Sequence, residues 1–133
     1  MTQNAPDKGP LDGVKVVERV GRLAGSVCAG RLADLGAEVC RVVMAKDSLP
    51  NEPVEWRVHP FAASHGRQIN LDDTADATKQ WLALAAEADI VIVTLPIEAD
   101  GCANGSVLDG LDQDGQVICG VSPFGLTTAE PPL

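Results

Sequence analysis

The chain has 133 residues, the length of one ordinary domain and too few for a large multidomain enzyme. Hydrophobic residues make up 45% and charged residues 22%, which is typical of a globular protein and argues against intrinsic disorder. The formal net charge of −9, with 3% aromatic residues, argues against binding to nucleic acid or to an anionic membrane surface.

The amino-terminal segment and the cysteines bear on the cellular compartment of the protein. Residues 1–10 carry no basic start and no apolar run, so they do not form a secretory signal; Pro6, Gly9 and Pro10 predict a flexible lead-in. No apolar run reaches the roughly 18 to 20 residues of a membrane span. The four cysteines lack CxxC spacing and are interpreted as reduced, buried thiols. We therefore expect a cytoplasmic protein that does not enter a membrane.

The first part of the chain predicts a βαβ unit. Residues 14–20 are rich in β-branched residues and predict a strand, residues 23–35 predict a helix, and residues 38–43 predict a second strand. Gly36 stands where a left-handed helix C-cap is expected. The apolar spacing assigns the inward face of the helix to Ala24, Val27, Cys28, Leu32 and Leu35.

The second part repeats the alternation after an irregular stretch over residues 44–66. Residues 68–71 predict a short strand, and residues 89–95 and 117–121 predict two strands buried in a parallel sheet. A short helical piece is expected over residues 106–111. Between the first two of these strands, Asp73 is predicted to cap a helix, whose inward face is Ala77, Trp81, Leu84, Ala85 and Ala88.

This order of elements predicts an α/β fold: a Rossmann-like open, mainly parallel sheet with helices on both faces. Ligands of such sheets bind beyond the carboxyl ends of the strands. The segments to search are therefore 20–26, 43–47, 94–101 and 122–128, all of which contain glycine or proline.

The sequence as a whole contains no recognisable catalytic constellation. His59 and His65 are interpreted as surface residues and not as metal ligands, so no metal is expected. Arg41 and Arg67 are each open to two interpretations, a phosphate contact or a surface ion pair. Residues 21–26 open a helix and suit an anion, but their glycines do not follow GxGxxG. A dinucleotide-dependent oxidoreductase domain is therefore only a third hypothesis.

Several blocks of sequence resemble class III CoA-transferases, the CaiB/BaiF family that includes formyl-CoA and carnitine CoA-transferases and α-methylacyl-CoA racemases. The resemblance rests on blocks that occur in the family's order between residues 10 and 125. They are residues 10–17, Leu23-Ala24-Gly25, residues 30–39, Gly66-Arg67-Gln68-Ile69-Asn70-Leu71-Asp72, residues 88–93 and Gly120-Val121-Ser122-Pro123-Phe124-Gly125.

The resemblance implies a family III amino-terminal Rossmann-like domain over residues 11–126, with a tail over residues 127–133. Its relatives act on acyl-CoA and CoA and form interlocked dimers, which implies a homodimer or packing against another domain or subunit. The family's CoA contacts correspond to Leu23, Ala24, Gly25, Arg67, Gln68, Thr94, Leu95 and Pro96. The family's nucleophilic Asp follows the segment that matches residues 122–125, so no residue of this chain inherits a catalytic role.

Some family positions differ in this chain. Ser26 stands where the family has Pro, Gly66 replaces a Lys, and residues 93–98 lack the family's Arg and contain Glu98. These changes imply a weakened CoA site. Two hypotheses follow: the inactive amino-terminal part of a protein that transfers CoA between carboxylic acids, or a noncatalytic module that keeps the fold in order to pack against a partner.

Overall fold

The computed structural model describes residues 8–19, 23–45, 66–72, 74–95, 105–111 and 114–122. These residues form five strands and two α-helices, in an order that confirms the predicted alternation. In chain order they are β1 (Lys15–Arg19), α1 (Leu23–Asp34), β2 (Glu38–Met44), β3 (Arg67–Leu71), α2 (Ala75–Ala86), β4 (Ile90–Thr94), a 3-10 helix (Gly105–Leu108) and β5 (Val117–Val121). None of the helices in these ranges has the length and apolar character needed to cross a bilayer.

The five strands form one parallel sheet in the order β3-β2-β1-β4-β5. From the central β1 the chain moves outward to β2 and β3, and then returns to the other side of β1 for β4 and β5. The direction of winding therefore reverses between β1 and β4, which is the topological switch point of a doubly wound sheet. The predicted Rossmann-like α/β architecture is confirmed.

The sheet face covered by α2 holds the larger hydrophobic core. Trp81 is 1% exposed and is the largest fully buried side chain of the described residues. Alternate residues of all five strands point to this face because side chains alternate along a strand. The buried members of this core are Val17, Val42, Met44, Leu71, Ala77, Trp81, Ala85, Ala88, Val91, Val93, Leu95 and Leu111.

The opposite face is covered by α1 through small residues. The buried positions of α1 are Gly25, Ser26, Ala29 and Gly30. The predicted inward face of this helix is wrong at Ala24, Cys28 and Leu35, which are exposed, whereas the predicted Leu32 does pack against the core of this face. Large apolar residues marked the predicted face, whereas close approach of the helix to the sheet selects small ones. A Cβ atom at position 25 would be in van der Waals contact with the Ile92 side chain, at 3.5 Å, so the helix backbone lies close to the sheet here.

The last strand, β5, is an edge strand and is mostly exposed, which corrects the prediction that it is buried. Val117 is 59% exposed, and Cys119 is exposed as well. A short apolar sequence does not tell a central strand from an edge strand. The predicted free thiols are confirmed for Cys28, Cys40 and Cys119, but Cys28 and Cys119 are not buried; Cys102 lies outside the described residues.

Two helix ends are fixed by local contacts. Thr74, and not the predicted Asp73, caps α2: its Oγ1 accepts a hydrogen bond from the Ala77 amide at 3.1 Å. Gly36 has the predicted left-handed conformation after α1, with a φ of 100°. Gly9 lies against this end of α1, where any Cβ would overlap the Leu35 carbonyl. The Leu11 amide donates to the same carbonyl oxygen at 3.0 Å, so the chain before β1 packs on the end of α1.

Candidate functional site

The carboxyl ends of β1 and β4 meet the start of α1 at the switch point. We call this part of the fold the switch-point corner; it consists of Arg19, Leu23–Ser26 and Thr94–Leu95. Gly25 and Thr94 lie close together, since a Cβ at position 25 would be 3.5 Å from the Thr94 Oγ1. The structure therefore brings Leu23, Ala24 and Gly25 to the end of β4, as the sequence predicts. Pro96 lies outside the described residues.

The first turn of α1 presents backbone amides at this corner. The first amides of a helix have no acceptor within the helix, and the helix dipole places partial positive charge there. No acidic side chain occurs in the first turn of α1, while Leu23 and Ala24 are exposed. This arrangement suits an anionic group such as a phosphate.

Beneath this turn lies a buried carboxylate, Glu18, which is 1% exposed. Its Oε1 accepts a hydrogen bond from the Ser26 hydroxyl at 2.7 Å. Its Oε2 is 3.2 Å from the Nε of Arg41, whose side chain is 9% exposed. Glu18 and Arg41 stand opposite each other in the register of β1 and β2. We call Glu18, Ser26 and Arg41 the buried polar triad.

The triad answers the question left open for Arg41. Its guanidinium forms a buried ion pair, and it is therefore neither a surface residue nor positioned as a phosphate contact. Sequence reasoning did not single out Glu18. The signal was present, because an acidic residue interrupts the apolar β1 and a basic residue occupies the equivalent place in β2.

On the α2 face of the same corner, Arg19 is 5% exposed. Its guanidinium carbon lies 5.7 Å from the centre of the Trp81 ring, a distance typical of a cation–π contact. Among the described residues, the Trp81 Nε1 has no hydrogen-bond partner. Leu95 is also buried here at 2% exposure, and its amide donates to the Val121 carbonyl at 2.8 Å. The side chain of Leu95 therefore belongs to the core, and only its backbone borders the corner.

Arg67 and Gln68 lie elsewhere. Both are exposed at the start of β3, and Gln68 donates to the Asn70 side chain at 3.0 Å. The sheet order separates Arg67 from Thr94 by three strand spacings, about 14 Å across the sheet. Arg67 lines a cavity of about 680 Å³ at the amino-terminal edge, together with Lys15, Glu38 and Glu87. The structure thus does not bring Arg67 and Gln68 to the switch-point corner.

Other candidate groups can be placed briefly. His59 and His65 lie outside the described residues. Within the described ranges, no group of three or more His, Cys, Asp or Glu side chains is arranged to hold a metal ion. Burial raises the pKa of the Cys28 thiol, and the neighbouring Cys119 and Glu18 raise it further. Cys28 is therefore a weakly ionised thiol beside the triad and not an activated nucleophile.

Comparison with known proteins shows a family match for the part of the chain that contains the switch-point corner. The family model of CoA-transferase family III matches residues 11–99, two thirds of the chain, including the described part of the corner. An "Acyl-CoA transferase" of Gibberella moniliformis is 38% identical over 88 residues, which cover 65% of this chain and 15% of that protein.

Solved structures agree on the fold. A CaiB/BaiF family protein from Brucella suis has a TM-score of 0.60 at 28% identity, over 85% of this chain and 33% of its own. Rv3272 of Mycobacterium tuberculosis has a TM-score of 0.63 at 23% identity, over 94% of this chain and 38% of its own. The chain thus spans 33% and 38% of these solved relatives and 15% of the fungal one. With its amino-terminal βαβ unit, its parallel sheet and the match over residues 11–99, the chain belongs to CoA-transferase family III.

Proposed function

We propose that this chain is the amino-terminal Rossmann-like domain of a class III CoA-transferase-like protein and that it binds CoA or acyl-CoA at the switch-point corner. The domain comprises residues 11–126, between a lead-in of residues 1–10 and a tail of residues 127–133. The observation that carries the proposal is the family match over residues 11–99, which contains the first turn of α1 beside Thr94.

The chemistry of CoA supports this choice of corner. CoA carries a pyrophosphate, and the helix amides of a first turn that contains no acidic residue favour such a group, with the Glu18 carboxylate beneath it paired to Arg41. Leu23, Ala24 and Gly25 would contribute backbone amides, and Thr94 with the Leu95 backbone would form the other wall; Pro96 remains a contact implied by the family resemblance. Arg67 and Gln68 remain contacts predicted by the family resemblance, at a second location on the ligand.

A substitution in the first turn of α1 tests this proposal. Ala24→Asp places a negative charge at an exposed position where it stabilises the helix dipole but repels a phosphate. The matched control is Ala83→Asp, the same change at an exposed position of α2. In calorimetric titrations with CoA and acetyl-CoA, we expect micromolar binding by the wild type and by Ala83→Asp, and at least tenfold weaker binding by Ala24→Asp. Equal affinities for all three proteins would place the ligand elsewhere.

Arg67→Ala tests the second location separately. Weaker binding by this variant supports a ligand that extends to the start of β3. Unchanged binding by Arg67→Ala, with loss in Ala24→Asp, confines the ligand to the corner.

We further propose that the chain alone does not transfer CoA between carboxylic acids. In the family, a carboxylate accepts the acyl group as a mixed anhydride and then carries CoA as a thioester. The resemblance implies that the position of that nucleophilic Asp follows the segment matching residues 122–125. Incubating the chain with an acyl-CoA and a second carboxylic acid, with mass spectrometry of the thioesters, should give no exchange; detectable exchange would show that the nucleophile is present.

The expected setting is a cytoplasmic homodimer or a domain packed against another. Sedimentation analysis of the purified chain measures the first possibility directly, and a single species at the mass of one chain would contradict it.

A second candidate function is a noncatalytic packing module. It is favoured by the exposed apolar side chains Leu23, Leu35 and Val117, which are 42%, 45% and 59% exposed. This candidate predicts no heat of binding even at millimolar CoA.

A further inference from the structure

The buried polar triad links three secondary-structure elements through two side-chain hydrogen bonds. Glu18 belongs to β1 and Arg41 to β2, while Ser26 belongs to the first turn of α1. The carboxylate receives the Ser26 hydroxyl at 2.7 Å and the Arg41 guanidinium at 3.2 Å. The three side chains therefore connect the middle of the sheet to the start of the helix.

Such a triad is a poor means of gaining stability. Moving a carboxylate and a guanidinium out of water costs free energy that their attraction only partly returns, and well-packed apolar residues often serve as well. The same face already holds an apolar contact between Val16, Ala29, Val39 and Ile92. An ionic group at this depth is better explained by a need for a defined geometry.

The geometry that it defines is the height of α1 above the sheet. The first turn lies close to the sheet, since a Cβ at position 25 would be in van der Waals contact, 3.7 Å from the Glu18 Oε1 and 3.5 Å from the Thr94 Oγ1. The next residue, Ser26, directs its hydroxyl down to Glu18. The carboxylate thus holds the first turn from below, which leaves the upper side of this turn facing the switch-point corner. Arg41 balances the negative charge that would otherwise oppose an anion at that position.

We propose that Glu18 is a positioning residue for ligand binding: through Ser26 it fixes the first turn of α1, so that the amides of residues 23–25 are held in place for an anionic ligand. This inference rests on the proposed CoA site. It assigns to Ser26, where the family resemblance has Pro, the task of replacing a rigid residue by a hydrogen bond to the sheet.

The experiment removes the hydroxyl and leaves the charges. Ser26→Ala deletes the bond to Glu18 while the ion pair with Arg41 stays. Thr78→Ala is the matched control, because it removes a hydroxyl from an exposed position of α2. Each protein is titrated with CoA and with inorganic pyrophosphate by calorimetry, and its melting temperature is measured in the same buffer.

We expect Ser26→Ala to bind CoA and pyrophosphate on the order of tenfold more weakly than the wild type, since small displacements of binding groups have such effects. Thr78→Ala should bind as the wild type does. A merely structural role would lower the melting temperature and leave the affinity of the folded protein unchanged. Wild-type affinity in Ser26→Ala therefore overturns the inference while the proposed CoA site stands.

An amide spectrum gives a second readout. In ¹H–¹⁵N spectra of the wild type, pyrophosphate should shift the amide signals of residues 23–25. In Ser26→Ala the pyrophosphate-induced shifts of these amides should be smaller than in the wild type. The amide signals of residues on the α2 face, such as Trp81, should have the same positions in both proteins, which shows that the fold is unchanged. Absence of any CoA or pyrophosphate binding by the wild type would overturn the proposed function and this inference together.

Discussion

The two faces of the sheet are built from different kinds of residues. The α2 face is filled by large apolar side chains, with Trp81 and Met44 each 1% exposed. The α1 face uses Gly25, Ala29 and Gly30 for close approach and places an ion pair between Glu18 and Arg41. The first arrangement removes much apolar area from water, whereas the second fixes where a helix lies. Stability and positioning are thus assigned to opposite sides of one sheet.

The largest effect is expected on the α2 face. Trp81→Ala removes the biggest buried side chain and its contact with Arg19, so the free energy of unfolding should fall by about 3–5 kcal/mol. Urea unfolding followed by circular dichroism measures this loss, with Thr78→Ala as a control of near-wild-type stability. A loss below about 1 kcal/mol would contradict the role assigned to this face.

The next effect concerns the ion pair of the α1 face. Arg41→Leu leaves the Glu18 carboxylate buried without its cation, which should cost about 3 kcal/mol of unfolding free energy. Replacing both residues, with Glu18→Leu added, should recover most of that loss, because two apolar side chains need no charge partner. Urea midpoints of the three proteins test this. Equal destabilisation of the single and double variants would show that the pair itself stabilises the fold.

A smaller effect is expected at the start of α2. Thr74→Ala removes the acceptor for the Ala77 amide and should lower the unfolding free energy by about 1 kcal/mol. Thermal unfolding in parallel with Thr74→Ser, which keeps the oxygen, provides the comparison. If the Ala and Ser variants melted at the same temperature, the cap would contribute nothing.

The smallest effect is expected on the rate at which the Cys28 thiol, on α1, reacts with an alkylating agent. Because the pKa of Cys28 is raised, its thiolate fraction at neutral pH is below that of an ordinary cysteine. Alkylation of Cys28 by iodoacetamide should therefore be slow near pH 7 and increase as the pH rises. Cys119→Ser removes one cause of the raised pKa and should speed this reaction at pH 8, as measured by peptide mass spectrometry. Faster reaction of wild-type Cys28 than of a free cysteine would contradict the raised pKa.

The sequence was sufficient for the architecture because strand and helix periods alternate clearly. Residues 15–19 and 38–44 form parallel strands around α1, as the βαβ pattern predicts. The buried face of α1 was predicted wrongly, because periodicity rewards large apolar residues and this helix approaches the sheet through Gly25 and Ala29. The exposure of β5 was missed because Val117–Val121 has the composition of a central strand.

The candidate site was predicted only in part. Leu23–Gly25 at the start of α1 and Thr94 at the end of β4 converge because β1 and β4 are adjacent parallel strands, a consequence of topology alone. The family resemblance groups Arg67 with them. In the structure, however, Arg67 is the first residue of the edge strand β3 and lies at the amino-terminal end of the sheet, opposite the switch-point corner. The hydrogen bond between Ser26 and Glu18 depends on the distance of α1 from the sheet and on the direction of both side chains. The spacing of residues in the sequence does not reveal either of these.

The contact between Gly9 and Leu35 bears on how this domain should be trimmed for expression. The family match begins at residue 11, and a chain cut there would lose the glycine whose missing side chain lets the backbone pass over the end of α1. It would retain the Leu11 amide but place a charged new terminus beside it. A truncation that respects the fold begins before residue 9, and tags are best appended ahead of that point.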